Sequence, residues 1–471
     1  MASIDVDNTG RRDWPAGLPV RDPCISFWMS STRGFEHLSE NSTASVPVRA
    51  DTVVIGSGLA GSLAAWHLLE SGAKDVVMLE ARDACSCASA RNGGHVRPDS
   101  FYGFASYAEM RGEEQARKII ENERIVLREV ENFVERYKVD CDFEPVSTFH
   151  IALTDPHLAV MKTKFEQYKS SGAAVDHIKF LDAEDAVKAT RVPLATGAAE
   201  YPAATLHPAK LCQFLISSNI KNGLQLFTHA PALRVEPAAD GHWAITTPRG
   251  TVIARRVLHA TNAFASHLLP ELKGCIIPNK SQCHALVPSR AYAGSNRLKT
   301  TQSYAYNGSH FFYSMQRKTD GIIVVGLSGF NPEFDEETRR LILEERAVDR
   351  RALPGMTTVA VNSFYKVYPD FGTQETLAPG EGMHMAWSGV VGSTAEGVPF
   401  IGEVPGKPGQ WICAGWSGHG MSRIWTGAPG VVTLMNGGSW ADTGLPECFE
   451  LTAERLARSQ EIAGRSSGKG I

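Results

Sequence analysis

The chain has 471 residues, 43% of them hydrophobic and 21% charged, with a formal net charge of −4. That length holds two or three domains with real cores, and the mild acidity excludes the basic surface of a nucleic-acid binder. No run approaches the ~20 apolar residues of a membrane span.

The first 49 residues are rich in Pro, Ser and Asp and read as an irregular arm, anchored by Phe27-Trp28-Met29. Its start, with Asp5, Asp7, Arg11, Arg12 and Asp13, lacks the apolar centre of a signal peptide. The C-terminal Gly468-Lys469-Gly470-Ile471 is no clear peroxisomal address. A cytoplasmic protein is expected.

Near Ala50 the pattern changes. Val53-Val54-Ile55 is an apolar, partly β-branched run, as in a strand buried on both faces. Gly56, Gly58 and Gly61 follow at the spacing of a dinucleotide fingerprint: a tight turn, a close backbone approach to a pyrophosphate, and close helix packing. A helix from Leu59 to about Ser71 would aim its N-terminal N–H groups at the phosphates. The next run, Val76-Val77-Met78-Leu79, ends in Glu80, placed for ribose hydroxyls. A ribose 2′-phosphate would be repelled there, which leaves NAD or FAD.

Apolar residues recur at helical spacing between Gly112 and Val139, at Ala116, Ile119, Ile120, Ile125, Val126, Val130, Phe133 and Val134. Phe149–Leu153 reads as a strand and Pro156–Ser170 as a helix. Leu206-His207-Pro208 opens a helix reaching about Asn222, with His207 read as a turn residue. Strands follow at Leu224–Phe227, Ala232–Glu236, Trp243–Thr247 and Val252–His259. Residues 276–378 mix strands (Phe311–Met315, Ile322–Val325) with a charged helix at Glu336–Arg350. Tyr304 and Tyr306 fall where a lid or a surface loop is expected. Strands near Met385–Gly389 and Trp411–Ala414 precede Gly415-Trp416-Ser417-Gly418-His419-Gly420-Met421, and a helix then runs to about Leu434. The last twenty residues read as a surface helix and tail.

The nine cysteines contain no CxxC. Cys85 and Cys87 are a redox or metal pair, or two reduced thiols as a reducing cytosol favours. No other metal-ligand spacing is present, and no metal is expected.

Several stretches now stand together: Leu18-Pro19 with Phe27-Trp28; the glycine fingerprint; Glu80-Ala81-Arg82 with Cys85; Arg91-Asn92-Gly93-Gly94-His95 with Arg97-Pro98; Leu206-His207-Pro208; Ala260-Thr261-Asn262-Ala263; Pro399-Phe400-Ile401-Gly402; and Gly415–Met421. With them the chain resembles the D-amino-acid-oxidase/glycine-oxidase (DAO) superfamily of FAD-dependent oxidoreductases over about residues 15 to 440. Within it the likeness is to the amine-oxidising branch around gamma-glutamylputrescine oxidase and to its fungal members, which suggests a role in fungal secondary metabolism.

The resemblance implies an α/β (α+β) fold: a Rossmann-like FAD-binding domain of discontinuous segments (50–148, 200–275 and 380–440) and a mixed-sheet substrate-binding lobe (149–199 and 276–379). The arm would be 1–49 and the C-terminal helix and tail 441–471. It implies that Gly56, Gly58, Gly61, Glu80 and Ala81 hold the ADP half, with Ala232 at the adenine. Ser89, Arg91 and Asn92 would line the pyrophosphate and ribityl chain, and Gly93, Gly94 and His95 the isoalloxazine. Thr261, Gly415, Gly418, His419, Gly420 and Met421 complete the set, the last four bringing a helix N-terminus to the flavin pyrimidine, where reduced flavin carries negative charge.

Departures from the family pattern also carry information. Cys87 and Ala90 stand where the family usually has Gly. Gly389 stands at the flavin-linking Cys of sarcosine oxidases, which argues against a cysteinyl-flavin. His95 lies about a residue from a His that carries covalent FAD in some relatives, so it is either a covalent site or a neighbour of the ring, with non-covalent FAD the expectation. Val391 stands where glycine oxidases hold the substrate carboxylate with Arg. Arg423 or Arg317 would then substitute, unless they are structural or surface residues, or the substrate is an amine without an α-carboxylate or a larger apolar molecule.

The implied reaction is hydride transfer from the carbon beside an amine nitrogen, imine hydrolysis, and reoxidation by O2 to peroxide. Tyr313 is a pocket tyrosine or a core aromatic; His95 and Trp416 complete the catalytic candidates. A flavin dehydrogenase, an amino-acid oxidase and a non-catalytic assembly factor are the alternatives. A small-molecule amine is the expected partner, and oligomeric state is open.

Overall fold

The computed structural model describes residues 14–467 apart from Ser309 and Gln374. The charged N-terminal residues and the C-terminal tetrapeptide discussed above lie outside them.

Two sheets organise the molecule. In the first, Arg49–Ile55, buried along its second half, lies between Val76–Leu79 and Gly250–His259, parallel to both. Gln225–Phe227 extends one side in parallel, and Gln410–Ala414 and Phe400–Glu403 extend the other. Arg234–Pro237 and Trp243–Thr247 join Gly250–His259 as an antiparallel meander. The all-buried Val76–Leu79 run is what a parallel strand covered on both faces requires.

The second sheet has nine strands, in the order Gly382–Thr394, Ile276–Val287, Ile323–Ser328, Phe311–Gln316, Thr301–Ala305, Glu144–Ala152, Gly197–Thr205 and His95–Val96, with Lys179–Leu181 beside Gly197–Thr205. All pairs are antiparallel except Thr301–Ala305 with Glu144–Ala152. One face packs on Pro354–Val367 in a core that includes Phe312, Val325, Met356 and Phe364. The other turns toward the first sheet and shares its core with Trp28, Tyr201, Met315 and Trp387.

The long amphipathic helix spans Glu113–Tyr137 and buries Ala116, Ile119, Ile120, Val126, Val130 and Val134 of the expected positions, with Ile125 and Phe133 only half-buried, but also Asn122 and Glu123. Two buried polar residues on an apolar stripe mark a second use for that face. The charged helix stops at Glu344, short of Arg350, because residues 345–351 bind the cavity wall through their charges. The helix Pro354–Val367 was not expected; its Gly355 and β-branched residues weaken the helical signal. Tyr304 occupies neither a lid nor a loop. It is buried in Thr301–Ala305, with its hydroxyl bonded to Ser314 (2.6 Å) and Tyr368 (2.7 Å). The arm is less irregular than its composition suggests: Phe27–Ser30 is a short helix whose Trp28 is fully buried. Among the described residues no helix is long and apolar enough to cross a membrane.

Candidate functional site

A cavity of about 470 Å³ opens between the sheets. Its walls include Gly56, Gly58, Glu80, Ala81, Ser89, Arg91, Asn92, Ala232, Thr261, Gly418, Gly420, Met421, Tyr313 and Trp416, so the two glycine-bearing segments meet. Gly61, Gly93, Gly94, His95, Gly415 and His419 are not among the wall residues.

At one end, Gly56 turns the chain at φ 109°, and a Cβ there would lie 2.7 Å from the Ala260 carbonyl oxygen. A Cβ on Gly61 would lie 1.9 Å from the Gly56 carbonyl oxygen, so close packing of the helix Leu59–Glu70 requires glycine. Glu80 is buried. Its Oε2 accepts from Ser57 N (3.0 Å) and Oγ (2.7 Å), and its Oε1 from Arg82 N (2.9 Å). A carboxylate offers about four acceptor positions, so Glu80 is fixed yet retains capacity for a hydroxyl donor. Ser89 Oγ accepts from Leu59 N at 2.8 Å, and the Thr261 hydroxyl is buried on the wall without a protein partner. A helix N-terminus, an anchored acid and an orphaned hydroxyl on one cavity fit a dinucleotide such as FAD.

The loop after Ser89 is held from two distant segments. Trp28 Nε1 donates to the Asn92 carbonyl (2.7 Å) and Trp387 Nε1 to the Arg91 carbonyl (2.8 Å). The Arg91 guanidinium is engaged by the carbonyls of Ser86 (2.7 Å), Ser388 (2.8 Å) and Cys24 (2.5 Å) and by Asp349 (3.3 Å). Arg82 grips the same Asp349 at 2.9–3.1 Å and donates to Cys87 Sγ at 2.8 Å. Burial alone would raise Asp349, but the two guanidinium groups hold it below the usual carboxylate range. Burial pushes the Cys87 thiol up to about 11. Cys85 and Cys87 are both free cysteines, Cys85 buried, and no cluster fit to hold a metal occurs among the described residues.

At the other end, Tyr313 stands between two glycines. A Cβ on Gly93 would lie 2.4 Å from Tyr313 Cε2, and one on Gly326 would lie 2.1 Å from Cζ. Its hydroxyl is 3.4 Å from Cys283 Sγ. Burial, with the Cys283 thiol beside it, raises the phenol well above its ordinary value. His95 packs its ring 5.2 Å from Tyr313; burial and the Arg97 charge lower it to about 3, so it is a neutral imidazole.

Trp416 forms part of the wall, and its loop is pinned by Asn262 Oδ1, which accepts from Gly415 N (3.0 Å) and Trp416 N (3.3 Å). The α-helix expected after Gly420 begins at Ile424, preceded by a 3₁₀ turn over Gly420–Ser422. His419 Nδ1 pairs with Glu123 Oε1 at 3.0 Å, behind the wall. His207 caps the helix Pro208–Lys221, its Nδ1 accepting from Lys210 N at 3.2 Å.

Neither suggested substitute for the missing arginine reaches the cavity. Arg423 is bound to Glu123 (2.7 Å) and Tyr107 (2.8 Å), and Arg317 to Asp320 (2.9 Å) and Asp142 (3.3 Å). Asp349 and Asn262 carry structural weight that sequence reasoning did not assign. Asn262 had a signal in its stretch; Asp349 had none, because its partner Arg82 lies 267 residues away.

A parallel sheet with its glycine turn and terminal acid, closed by a second sheet, defines a dinucleotide-dependent enzyme. The chain belongs to the DAO family of FAD-dependent oxidoreductases, whose model matches residues 51–429. FAD is accordingly its cofactor. It is 27% identical over 383 residues to "Probable oxidoreductase OrdL" of Rhizobium meliloti, covering 79% of this chain and 80% of that protein. It is 22% identical to the glycine oxidase of Bacillus licheniformis, covering 79% and 89%. The solved glycine oxidase of Geobacillus kaustophilus superposes with a TM-score of 0.68 at 18% identity, covering 86% of this chain and 99% of that one.

Proposed function

We propose that this enzyme is an amine oxidase of the branch around gamma-glutamylputrescine oxidase, using O2 as acceptor, and that its reacting carbon bears no carboxylate held by arginine at the flavin. The carrying observation is the cavity wall itself. Val391 supplies an apolar side chain there, and the two arginines on the wall, Arg82 and Arg91, are both committed to Asp349. An α-carboxylate would lack the forked partner that such recognition uses.

FAD, when bound, supplies the electron-pair acceptor for the carbon beside the amine nitrogen. The chain supplies position and dryness. The 50–148, 200–275 and 380–440 segments form the FAD-binding domain in this reading, with Gly56, Gly58, Gly61, Glu80 and Thr261 toward the ADP half. Tyr313, seated against Gly93, orients the amine by its hydroxyl and stays protonated; Trp416 and Phe311 shield it from water. His95 is too poor a base at neutral pH to be the proton acceptor but can accept a hydrogen bond.

The test is anaerobic loss of the flavin absorbance on adding a panel of amines and α-amino acids, followed by air. Bleaching by an amine, with peroxide on readmission of oxygen, is the expected result. Bleaching by α-amino acids alone would overturn the reading.

A further inference from the structure

The cavity runs on past Tyr313 along the inner face of the second sheet, over a stretch of wall whose facing side chains are all uncharged. Strand register places Gly326 between Tyr313 and Cys283, and Ser281 between Ser328 and Gly389. Laterally paired residues share a face, so the two rows point one way. Tyr313, Cys283, Ser281, Ser328 and Gly389 all line the cavity. Two residues further along, Asn279 stands beside Val391, and both line it too.

The polar groups of this wall are already engaged. Ser281 Oγ donates to the Leu327 carbonyl (3.2 Å), Ser328 Oγ accepts from Phe330 N (3.4 Å), and Cys283 Sγ meets the Tyr313 hydroxyl (3.4 Å). The charged side chains elsewhere on the cavity are taken as well. Lys280 donates to Glu345 (3.1 Å) and to the Val348 carbonyl (2.7 Å), and Arg82 and Arg91 share Asp349. Glu80 is bound to Ser57 and to Arg82 N at the nucleotide end. A charged group brought to the wall beyond Tyr313 would lose its water and find no counter-ion.

Phe330 supplies what this wall does offer. Of the twenty phenylalanines it alone is exposed, at 67%, and it also lines the cavity. Gly329 before it lies so close to the neighbouring strand that a Cβ would be 2.9 Å from the Lys280 carbonyl oxygen, which fixes where the Phe330 ring departs. Phe311, two residues before Tyr313 in its strand, is half-buried and lines the cavity as well. An exposed aromatic ring on a cavity wall is apolar surface left for a ligand to cover.

We infer that Phe330 determines specificity, and that the substrate amine carries an uncharged, ring-bearing apolar body lying along this wall against Phe330. This rests on the amine reading of the flavin end. Ser328 is two residues beyond Gly326, about 7 Å along the strand, and Phe330 follows it. The ring must therefore be separated from the reacting C–N bond by several carbon atoms. The substrate class is an arylalkylamine.

The test uses the FAD-loaded enzyme. Anaerobic flavin bleaching compares 4-phenylbutylamine, butylamine and 1,8-diaminooctane, and calorimetry measures binding of 4-phenylbutan-1-ol, which has the ring and no amine. Saturation by 4-phenylbutylamine at concentrations about tenfold or more below the other two amines is expected. Phe330→Ala should shrink that advantage at least about fivefold, and Phe330→Leu should keep part of it. The side chain is exposed, so both variants should fold as the parent does. Phenylbutanol should bind the parent enzyme and lose affinity in Phe330→Ala. A diamine that saturates as low as 4-phenylbutylamine, or an advantage unchanged in Phe330→Ala, overturns the apolar body and leaves the amine oxidase standing. Phenylbutanol that fails to bind the parent also overturns the apolar body. Phenylbutanol held through Phe330 while no amine bleaches the flavin upholds the apolar wall and overturns the amine oxidase instead.

Discussion

Glu123 and His419 meet across the boundary between core and site: the carboxylate is fully buried on the long helix, and it lies 3.0 Å from His419 Nδ1 just behind the cavity loop. Arg423 Nε (2.7 Å) and Asp99 N (2.6 Å) complete its surroundings. The loop that carries Gly418 and Gly420 is therefore anchored through charge as well as packing.

Burial alone would raise the Glu123 carboxyl, but His419, Arg423 and the Asp99 N–H together bring it down to about 2. A folded value below the ordinary ~4.3 stabilises the fold above that pH and loses the stabilisation as pH falls toward 2. Glu123→Gln should cost about 3–5 kcal/mol at neutral pH, because Arg423 loses its anion. It should also flatten the decline in stability between about pH 5 and 2. Urea denaturation at stepped pH reads both; an unchanged acid slope would dismiss the pair as a pH-dependent anchor.

Asp349 neutralises two guanidinium groups at once. Asp349→Asn leaves both buried without an anion, and about 3–5 kcal/mol of destabilisation is expected. Because Arg91 shapes the loop carrying Asn92 and Gly93, flavin retention should fall with it. Thermal melting and flavin content after gel filtration check the two effects separately.

The seat of Tyr313 depends on absent side chains. Gly326→Ala should cost about 1–3 kcal/mol by overpacking against the ring. In Tyr313→Ala the same change should be nearly free. A double-mutant cycle should thus give a coupling of about 1 kcal/mol or more; additivity would mean the ring has room to move.

Val391→Arg should confer oxidation of glycine, raising kcat/KM for it about tenfold or more if the fork reaches the reacting carbon's carboxylate. Steady-state peroxide assays with glycine decide the matter. No gain would place Val391 away from the reacting end.

Local signals carried the first sheet. Val53–Ile55, the three glycines and Glu80 lie within thirty residues of one another, and each owes its identity to a neighbour on the same turn or strand. Tyr313 was visible only as an alternative, since alternation in a strand does not distinguish a cavity wall from a core. Asp349, on the cavity wall, was not singled out as a site residue at all. It acts across the tertiary fold, and a single sequence offers no period or spacing that links Arg82 to Asp349.

The indoles of Trp28 and Trp387 hold adjacent carbonyls of one loop. A nascent chain that has emerged only to residue 380 already owns the glycine turn and Glu80, but it has neither the second indole nor the loop around Trp416. Cofactor capture is thus a late event, completed only when the returning strand arrives. Translation that stalls before that strand should yield a protein that retains flavin less well than the full chain.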